Sequence, residues 1–326
     1  MRVLVTGASG LIGAHVAREL AESGAEVRAL CRSEPPPEAR VAVHVAADLR
    51  DTAALERATD GCDAVVHVAA LYSYARADAA AMEAVNVAAT RAVLAAAARR
   101  GPRRVVVTSS SATCGPVPGR AATEDDAPPH WELRIPYKRT KLAGERVALE
   151  AARDGRDVVV VNPTTTIGPY DRRPTPSGRM VLGVMRGRIR AYLPRAGINV
   201  VAAADVARGH RLALERGRAG ERYLLGGDNL SLRDAFALIA ARAGRAAPRV
   251  PLPYPVALAV AYAADAAGRA LGREFELVNL DETRLARRPM HFSSAKAQRE
   301  LDYEWRPADE AIGDAVAWFA RVNRTG

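Results

Sequence analysis

Two residues four positions apart, Tyr137 and Lys141, have the types and spacing of a proton-transfer pair. On a helix this spacing places both side chains on one face, one turn apart. A free phenol has a pKa of about 10, and a neighbouring cation favours the phenolate and lowers that value. We therefore interpret Tyr137 as a general acid or base that exchanges a proton with a substrate oxygen.

Lysine is scarce in this chain, which favours a specific role for Lys141. The only lysines are Lys138, Lys141 and Lys296, and arginine supplies nearly all other positive charge. A compact ammonium fits beside a phenol and reaches sugar hydroxyls, whereas a planar guanidinium has a different donor geometry. Because Lys138 occurs in the same stretch, chance retention of Lys141 is the alternative.

A glycine-rich turn near the N-terminus has the context of a dinucleotide site. Residues 2–6 predict a buried strand, and a helix with Ile12, Val16 and Leu20 on one stripe follows the turn at residues 7–13. In such units the first glycine permits the turn, the second lets the backbone approach a pyrophosphate and the third allows close packing. The helix N-terminus then faces the phosphates. The predicted contacts are Gly7, Ser9, Gly10, Leu11, Ile12 and Gly13.

The end of the second predicted strand distinguishes NADP from NAD. An acidic residue at this point would bind the ribose 2′-hydroxyl of NAD, but residues 26–30 are followed by Cys31, Arg32 and Ser33. No carboxylate is placed there to repel a 2′-phosphate, and Arg32 would pair with one. We therefore prefer NADP, with NAD as the alternative; Arg32 would then be a solvated surface residue.

Two further strand ends supply candidate cofactor contacts. Asp48 and Leu49 follow the third predicted strand, where a carboxylate would accept from the adenine amino group; Asp48 would otherwise cap the helix at residues 52–59. The fourth strand ends in His67 and the small residues Val68, Ala69 and Ala70, which leave room for a cofactor near the backbone. His67 itself is interpreted as a packing residue.

Hydroxyl residues end the fifth predicted strand, where residues 109–113 read Ser-Ser-Ser-Ala-Thr. A hydroxyl at the carboxyl end of a parallel strand lies at the mouth of the crevice where ligands bind. Tyr72 is expected to border the nicotinamide pocket. Other candidate substrate contacts are Asn162, Arg179 and Tyr192.

Strand and helix patterns alternate through residues 1–170, which predicts a Rossmann-type dinucleotide-binding domain: an α/β, doubly wound parallel sheet with helices on both faces. The alternation stops after Gly168. Residues 171–196 leave the sheet, the chain returns to it at about 197–225, and residues 226–326 are mostly helical. These two outlying parts predict a smaller substrate-binding domain over the carboxyl edge of the sheet.

Composition and charge exclude several other classes. The net charge is +10, but the arginines are scattered and aromatic residues make up 5%, which argues against nucleic-acid binding. Three cysteines without metal-ligand spacing predict neither disulfides nor a metal site, and suit a reducing, cytoplasmic compartment. We expect no secretory signal and no stably inserted membrane helix. Residues 256–271 could lie on a membrane surface, although packing against the domain is the preferred interpretation.

These motifs resemble the extended short-chain dehydrogenase/reductases. The second half, at residues 174–179, 224–230 and 292–296, resembles hopanoid-associated sugar epimerases and dihydroflavonol-4-reductase-like enzymes. The other matching elements, in family order, are Thr6 to Gly13, Asp48-Leu49, Asn86-Val87, Thr108 to Thr113, Tyr137 with Lys141, Asn162-Pro163 and Gly168-Pro169.

The resemblance implies a catalytic hydroxyl residue beside Tyr137 and Lys141. Ser111 is the best match because it precedes Ala112-Thr113, and Ser110 is the fallback. In this family the lysine also binds the nicotinamide ribose, Pro163 belongs to the cofactor site, and a homodimer is common. The chain lacks the tyrosine that often follows the serine motif, which weakens any transfer of substrate contacts.

Three functions are consistent with these residues. The first is an NADPH-dependent reductase of an aldehyde or ketone, which the absence of an acidic residue near Arg32 favours. The second is an NAD-dependent nucleotide-sugar epimerase or dehydratase that uses the same Tyr137 and Lys141. A non-catalytic cofactor-binding regulator is the third, and the intact Tyr137–Lys141 pair argues against it.

Overall fold

The computed structural model describes residues 1–102, 104–271 and 279–322. Its strands are β1 (Arg2–Thr6), β2 (Glu26–Cys31), β3 (Val43–Ala46), β4 (Ala64–His67), β5 (Arg104–Thr108), β6 (Asp157–Pro163), β7 (Thr165–Ile167), β8 (Ala191–Tyr192), β9 (Gly197–Ala202), β10 (Arg222–Leu225), β11 (Asp228–Ser231) and β12 (Val250–Pro251). Its α-helices are α1 (Leu11–Glu22), α2 (Thr52–Thr59), α3 (Ala79–Glu83), α4 (Ala89–Arg100), α5 (Pro136–Arg153), α6 (Pro176–Met185), α7 (Ala203–Arg216), α8 (Leu232–Arg242), α9 (Tyr254–Leu271), α10 (Leu280–Leu285), α11 (Ala295–Leu301) and α12 (Ala308–Val322). A π-helical turn, Ala84–Ala88, joins α3 to α4.

Seven strands form a parallel sheet in the order β3-β2-β1-β4-β5-β6-β10. Val3, Leu4 and Val5 of β1 are fully buried, because a parallel sheet covered on both faces buries both sides of its central strands. The chain order reverses between β1 and β4, which opens a crevice at the carboxyl ends of the strands. The predicted doubly wound parallel sheet is confirmed.

Helices cover both faces of this sheet. Helices α1, α7 and α11 pack on one face around Leu20 and Leu301, whereas α2, α4 and α5 pack on the other around Leu55 and Leu94. The run Arg76–Arg100 is long and apolar enough to cross a membrane by length and composition alone. Its α4 portion lies against the sheet, which is the packing of a core helix.

The residues that follow β6 build two smaller sheets and a second apolar core. Strands β7, β9 and β11 form a three-stranded sheet, and β8 pairs with β12 as a two-stranded ribbon. Phe236 of α8 and Ile312 of α12 pack with β9 in this core. The predicted return to the main sheet is correct for β10 but wrong for β9, because an apolar pattern identifies a buried strand without identifying its partner. The division into two domains stays a prediction.

Candidate active site

A cavity of about 1080 Å³ runs along the carboxyl ends of the parallel strands, from the turn after β1 to helices α6, α8 and α10. It is larger than most small-ligand pockets and has room for a dinucleotide with a substrate beside it. The predicted cofactor residues all line it: Gly7, Ser9, Gly10, Leu11, Ile12, Gly13, Arg32, Asp48, Leu49, Val68, Ala69, Ala70, Lys141 and Pro163.

The three glycines of the first turn have different neighbours. Gly7 has φ +75°, and a Cβ there would lie 2.7 Å from the Cα of Ala69. A Cβ at Gly13 would lie 2.1 Å from the Gly7 carbonyl oxygen, so helix α1 packs on the turn only with glycine at this position. A Cβ at Gly10 would meet only that oxygen, at 3.5 Å. The turn therefore fits a pyrophosphate at Gly10 and the first N–H groups of α1.

Arg32 and Asp48 lie at the outer end of the cavity, and Arg32 is exposed. Asp48 accepts from the Arg50 guanidinium at 2.8 and 3.0 Å, and these bonds lower the pKa of Asp48 to about 2. Helix α2 is capped by Asp51, whose carboxylate accepts from the Ala54 N–H at 2.9 Å. Asp48 is therefore not the cap of α2, and its contact with adenine stays a prediction.

Tyr137 and Lys141 lie on α5, and both buried side chains line the cavity. The Lys141 ammonium donates to the Thr108 carbonyl oxygen at 2.8 Å. The predicted lowering of the Tyr137 pKa is wrong for this arrangement. Burial raises the pKa of Tyr137 to about 12 and lowers the pKa of Lys141 to about 8, because both charged forms lose solvation and the ammonium is directed towards Thr108.

Tyr137 packs in a cluster of three tyrosine rings. The centroid of its ring lies 4.4 Å from that of Tyr72 and 6.0 Å from that of Tyr74. All three residues line the cavity. The candidate acid/base therefore lies in a largely apolar chamber, which favours the neutral phenol and thus a proton donor.

Of the two candidate serines, Ser110 is the one whose side chain affects the pKa of Tyr137. Its side chain opposes the rise in the Tyr137 pKa, and its Oγ accepts from the Ala112 N–H at 3.2 Å. Ser111 begins a short 3₁₀ turn and is also buried beside the cavity. Both serines line the cavity. The choice between Ser111, predicted first, and Ser110, the fallback, stays a prediction.

The four candidate substrate contacts separate into two pairs. Tyr72 and Arg179 line the cavity. Asn162 is fully buried, and its amide donates to the Ser110 carbonyl oxygen at 3.1 Å and to the Glu145 carboxylate at 2.6 Å. Tyr192 packs against the second core. Asn162 and Tyr192 are not among the residues that line the cavity, and their substrate roles stay predictions.

Glu145 organises the base of the site and was not predicted. It lies one turn after Lys141 on α5 and is 2% exposed. Its carboxylate accepts from the Thr113 hydroxyl at 2.8 Å and from the Asn162 amide, and pairs with Arg222 at 2.7 Å. This carboxylate therefore joins the 3₁₀ turn at Ser111–Thr113, the serine turn, to strands β6 and β10.

The loop that carries Tyr72 is fastened to α5 through Asn86. The Asn86 side chain accepts from the Leu71 N–H at 2.8 Å and donates to the Thr140 hydroxyl at 3.1 Å. A Cβ at Gly144 would lie 2.2 Å from the Asn86 carbonyl oxygen, so α5 approaches the π-helical turn closely only with glycine there. The Asn86-Val87 match in the sequence was a signal of this contact.

Two other polar residues, Lys138 on α5 and His67 on β4, are held by buried partners. Lys138 pairs with the fully buried Glu132, which also pairs with Arg288 at 2.8 Å. His67, predicted to be a packing residue, is 2% exposed and hydrogen-bonds to Thr6 Oγ1 at 2.8 Å. Burial lowers the pKa of His67 to about 3, so it is neutral at physiological pH.

Comparison with known proteins identifies the family. The NAD dependent epimerase/dehydratase family matches residues 3–226, which include the glycine turn, the serine run and the Tyr137–Lys141 pair. The chain belongs to this family. The resemblance to extended short-chain dehydrogenase/reductases is thereby confirmed. This epimerase/dehydratase-family chain is an enzyme, and the enzymes of its family are oxidoreductases and epimerases.

Two relatives align with nearly the whole of this epimerase/dehydratase-family chain. It is 37% identical over 323 residues to a putative dihydroflavonol 4-reductase of Synechocystis sp., covering 97% of this chain and 93% of the relative. It is 36% identical over 324 residues to sterol demethylase protein B of Methylococcus capsulatus, covering 98% of each.

Solved structures support the same placement. The crystal structure of gox2253 superposes with a TM-score of 0.85 at 37% identity, covering 99% of this chain and 98% of that one. DesIV, a dTDP-glucose 4,6-dehydratase from Streptomyces venezuelae with NAD and TYD bound, gives 0.78 at 26% identity, covering 100% and 98%.

Proposed function

We propose that this enzyme is an NADPH-dependent reductase of an apolar ketone or aldehyde. The observation that carries the proposal is the apolar lining of the cavity beyond Tyr137, where burial of an apolar substrate is favourable. The names of the two relatives, a reductase and a sterol demethylase, agree with oxidoreduction of an apolar molecule. The apolar and aromatic residues that line this part are Leu71, Tyr74, Met180, Ile189, Leu193, Phe236, Leu285 and Met290.

Each polar residue has a separate role in this reaction. NADPH, when bound, supplies the hydride to the carbonyl carbon. The Tyr137 phenol stays protonated at neutral pH because it is buried, and it donates its proton to the carbonyl oxygen. Ser110 hydrogen-bonds the same oxygen and holds it beside Tyr137. Lys141 binds the nicotinamide ribose, and Arg32 pairs with the 2′-phosphate of NADPH.

A second candidate is a nucleotide-sugar epimerase or dehydratase that retains NAD. The observation that favours it is a group of three arginines that line the cavity, Arg172, Arg173 and Arg179. Guanidinium groups in such a cluster would pair with a diphosphate. The NAD-bound dehydratase DesIV has the same fold.

A substrate panel separates the two candidates. NADPH absorbance is followed with alkyl, aryl and sterol ketones, and dTDP- and UDP-sugars are followed by NMR in the presence of NAD. Stoichiometric oxidation of NADPH with a ketone, absent in Tyr137→Phe, is the expected result. Conversion of a nucleotide sugar without net change of the cofactor would replace the reductase with the epimerase or dehydratase.

A further inference from the structure

Helix α9 exposes its large apolar side chains and buries its small ones. Among Tyr254–Leu271 the two buried residues are Ala257 and Ala261. Val256 and Val260 are 48% and 49% exposed, and Leu271 is 63% exposed. A helix that packs only on its own domain has the reverse arrangement, with the larger apolar residues inside. An outer face of this kind marks an interaction surface.

The exposed apolar residues of α9 lie on one side of the helix. At 100° per residue, Val256, Val260 and Ala263 fall on one stripe with Leu271 at its edge. The charged residues of the helix, Asp265 and Arg269, pair with each other at 2.9 Å. The outer stripe of α9 therefore presents hydrocarbon over most of the length of the helix.

Arginines are concentrated in the segments around the β8–β12 ribbon, which leads into α9. Residues 172–204 contain seven arginines and no acidic residue, and residues 235–264 contain three arginines and no acidic residue. Strand β12 pairs with β8, and α9 begins three residues after β12 ends. In the described part of the chain, the exposed arginines of these segments that lie outside the cavity lining and make no ion pair with an acidic side chain are Arg188, Arg190, Arg195, Arg245 and Arg249.

We infer that α9 and the β8–β12 ribbon together dock on an anionic lipid bilayer. A helix that turns an apolar face outward beside a cluster of cations binds at the interface between acyl chains and anionic headgroups. A second copy of the chain suits this surface less well. In a two-fold interface the same patch meets itself, which would bring the unpaired arginines of both copies together.

The face lies near the mouth of the cavity. Helix α10 packs against α9, with Arg284 over the Tyr262 ring at 5.3 Å. Leu285 of α10 lines the cavity. Docking through α9 would therefore bring the bilayer beside the chamber that the proposed function assigns to an apolar substrate, although the docking itself does not depend on that function.

Cosedimentation of the full chain with vesicles tests the inference. We expect binding to phosphatidylcholine vesicles that contain phosphatidylserine, little binding to phosphatidylcholine alone, and weakening by salt. Val256→Ser with Val260→Ser should reduce the bound fraction at least tenfold, and Arg188→Gln with Arg190→Gln severalfold. The matched controls are Val43→Ser, an equally exposed valine on β3, and Arg146→Gln, an exposed arginine on α5.

Several results would overturn the inference. One is absence of binding to either vesicle by the wild-type chain, and another is equal loss of binding in the control variants. Analytical ultracentrifugation gives the third: a dimer that Val256→Ser with Val260→Ser dissociates would assign the face to a second copy. The melting temperature of each variant shows that it folds, so a loss of vesicle binding reports on the surface itself.

Discussion

The Lys141 ammonium donates to the Thr108 carbonyl oxygen at 2.8 Å, which joins helix α5 to the carboxyl end of β5. The Thr108 hydroxyl is in turn hydrogen-bonded to His210 Nε2 at 2.9 Å, on helix α7. Both faces of the sheet are thus connected through one strand end. The position of Lys141 is set by the backbone of the fold, so the lysine is placed before any ligand arrives.

Tyr137→Phe should lower the turnover number by two or more orders of magnitude, since it removes the proposed proton donor. The dissociation constant for NADPH, measured by fluorescence, should change little. Tyr74→Phe is the matched control, because it removes a hydroxyl from the same ring cluster. Turnover that survives in Tyr137→Phe would rule out the phenol as the acid.

Ser110→Ala should reduce turnover more than Ser111→Ala does, because the Ser110 side chain is the one that opposes the rise in the Tyr137 pKa. We expect a loss of at least tenfold for Ser110→Ala, on the scale of one hydrogen bond to a developing charge. Steady-state kinetics of both variants measure the two turnover numbers. The opposite ranking would assign the hydrogen bond to the substrate oxygen to Ser111.

Gly10→Ala and Gly13→Ala should separate cofactor binding from stability. A Cβ at Gly10 is clear of the protein, whereas a Cβ at Gly13 collides with the Gly7 carbonyl oxygen. Gly10→Ala should keep the wild-type melting temperature and weaken NADPH binding, while Gly13→Ala should lower both. Unchanged NADPH affinity in Gly10→Ala would place the pyrophosphate elsewhere.

Arg32→Ala should weaken NADPH binding at least tenfold and leave NADH binding nearly unchanged, since only NADPH carries the 2′-phosphate. Arg50→Ala is the control, because this neighbouring guanidinium is held by Asp48. Fluorescence titrations with both nucleotides give the ratio of the NADPH and NADH dissociation constants. Equal weakening of NADPH and NADH by Arg32→Ala would refute selection by the 2′-phosphate.

Stability should fall in acid because His210 is fully buried and its pKa is lowered from 6.5 to about 4. The unfolded chain binds this proton at higher pH than the folded chain. The stabilisation is therefore complete above about pH 6.5 and is lost as the pH falls towards 4. At about 1.4 kcal/mol per pKa unit, the loss approaches roughly 3 kcal/mol. The urea concentration at the midpoint of unfolding should fall less steeply with decreasing pH in His210→Gln than in the wild-type chain. Identical pH dependence in the two chains would contradict this account.

The glycine turn and the parallel sheet were predictable because their signals lie within single strand–turn–helix units. The partner of β9 and the position of Tyr192 were not, because they depend on which elements pack together in space. Glu145 is a further case: its partners Thr113 and Arg222 lie 32 and 77 residues away in the chain. No spacing rule connects such positions, so the network that supports the serine turn emerges only with the fold.

Glu132 joins the segment after α10 to helix α5. Its buried carboxylate holds Lys138 of α5 and Arg288, which follows α10. Removing one partner of a buried ion pair costs roughly 3–5 kcal/mol, and loss of Glu132 would leave the buried Lys138 ammonium without its counter-charge. The segment after α10 is thereby fastened to the helix that carries Tyr137, so a change at Glu132 should disturb the active site although Glu132 does not line the cavity.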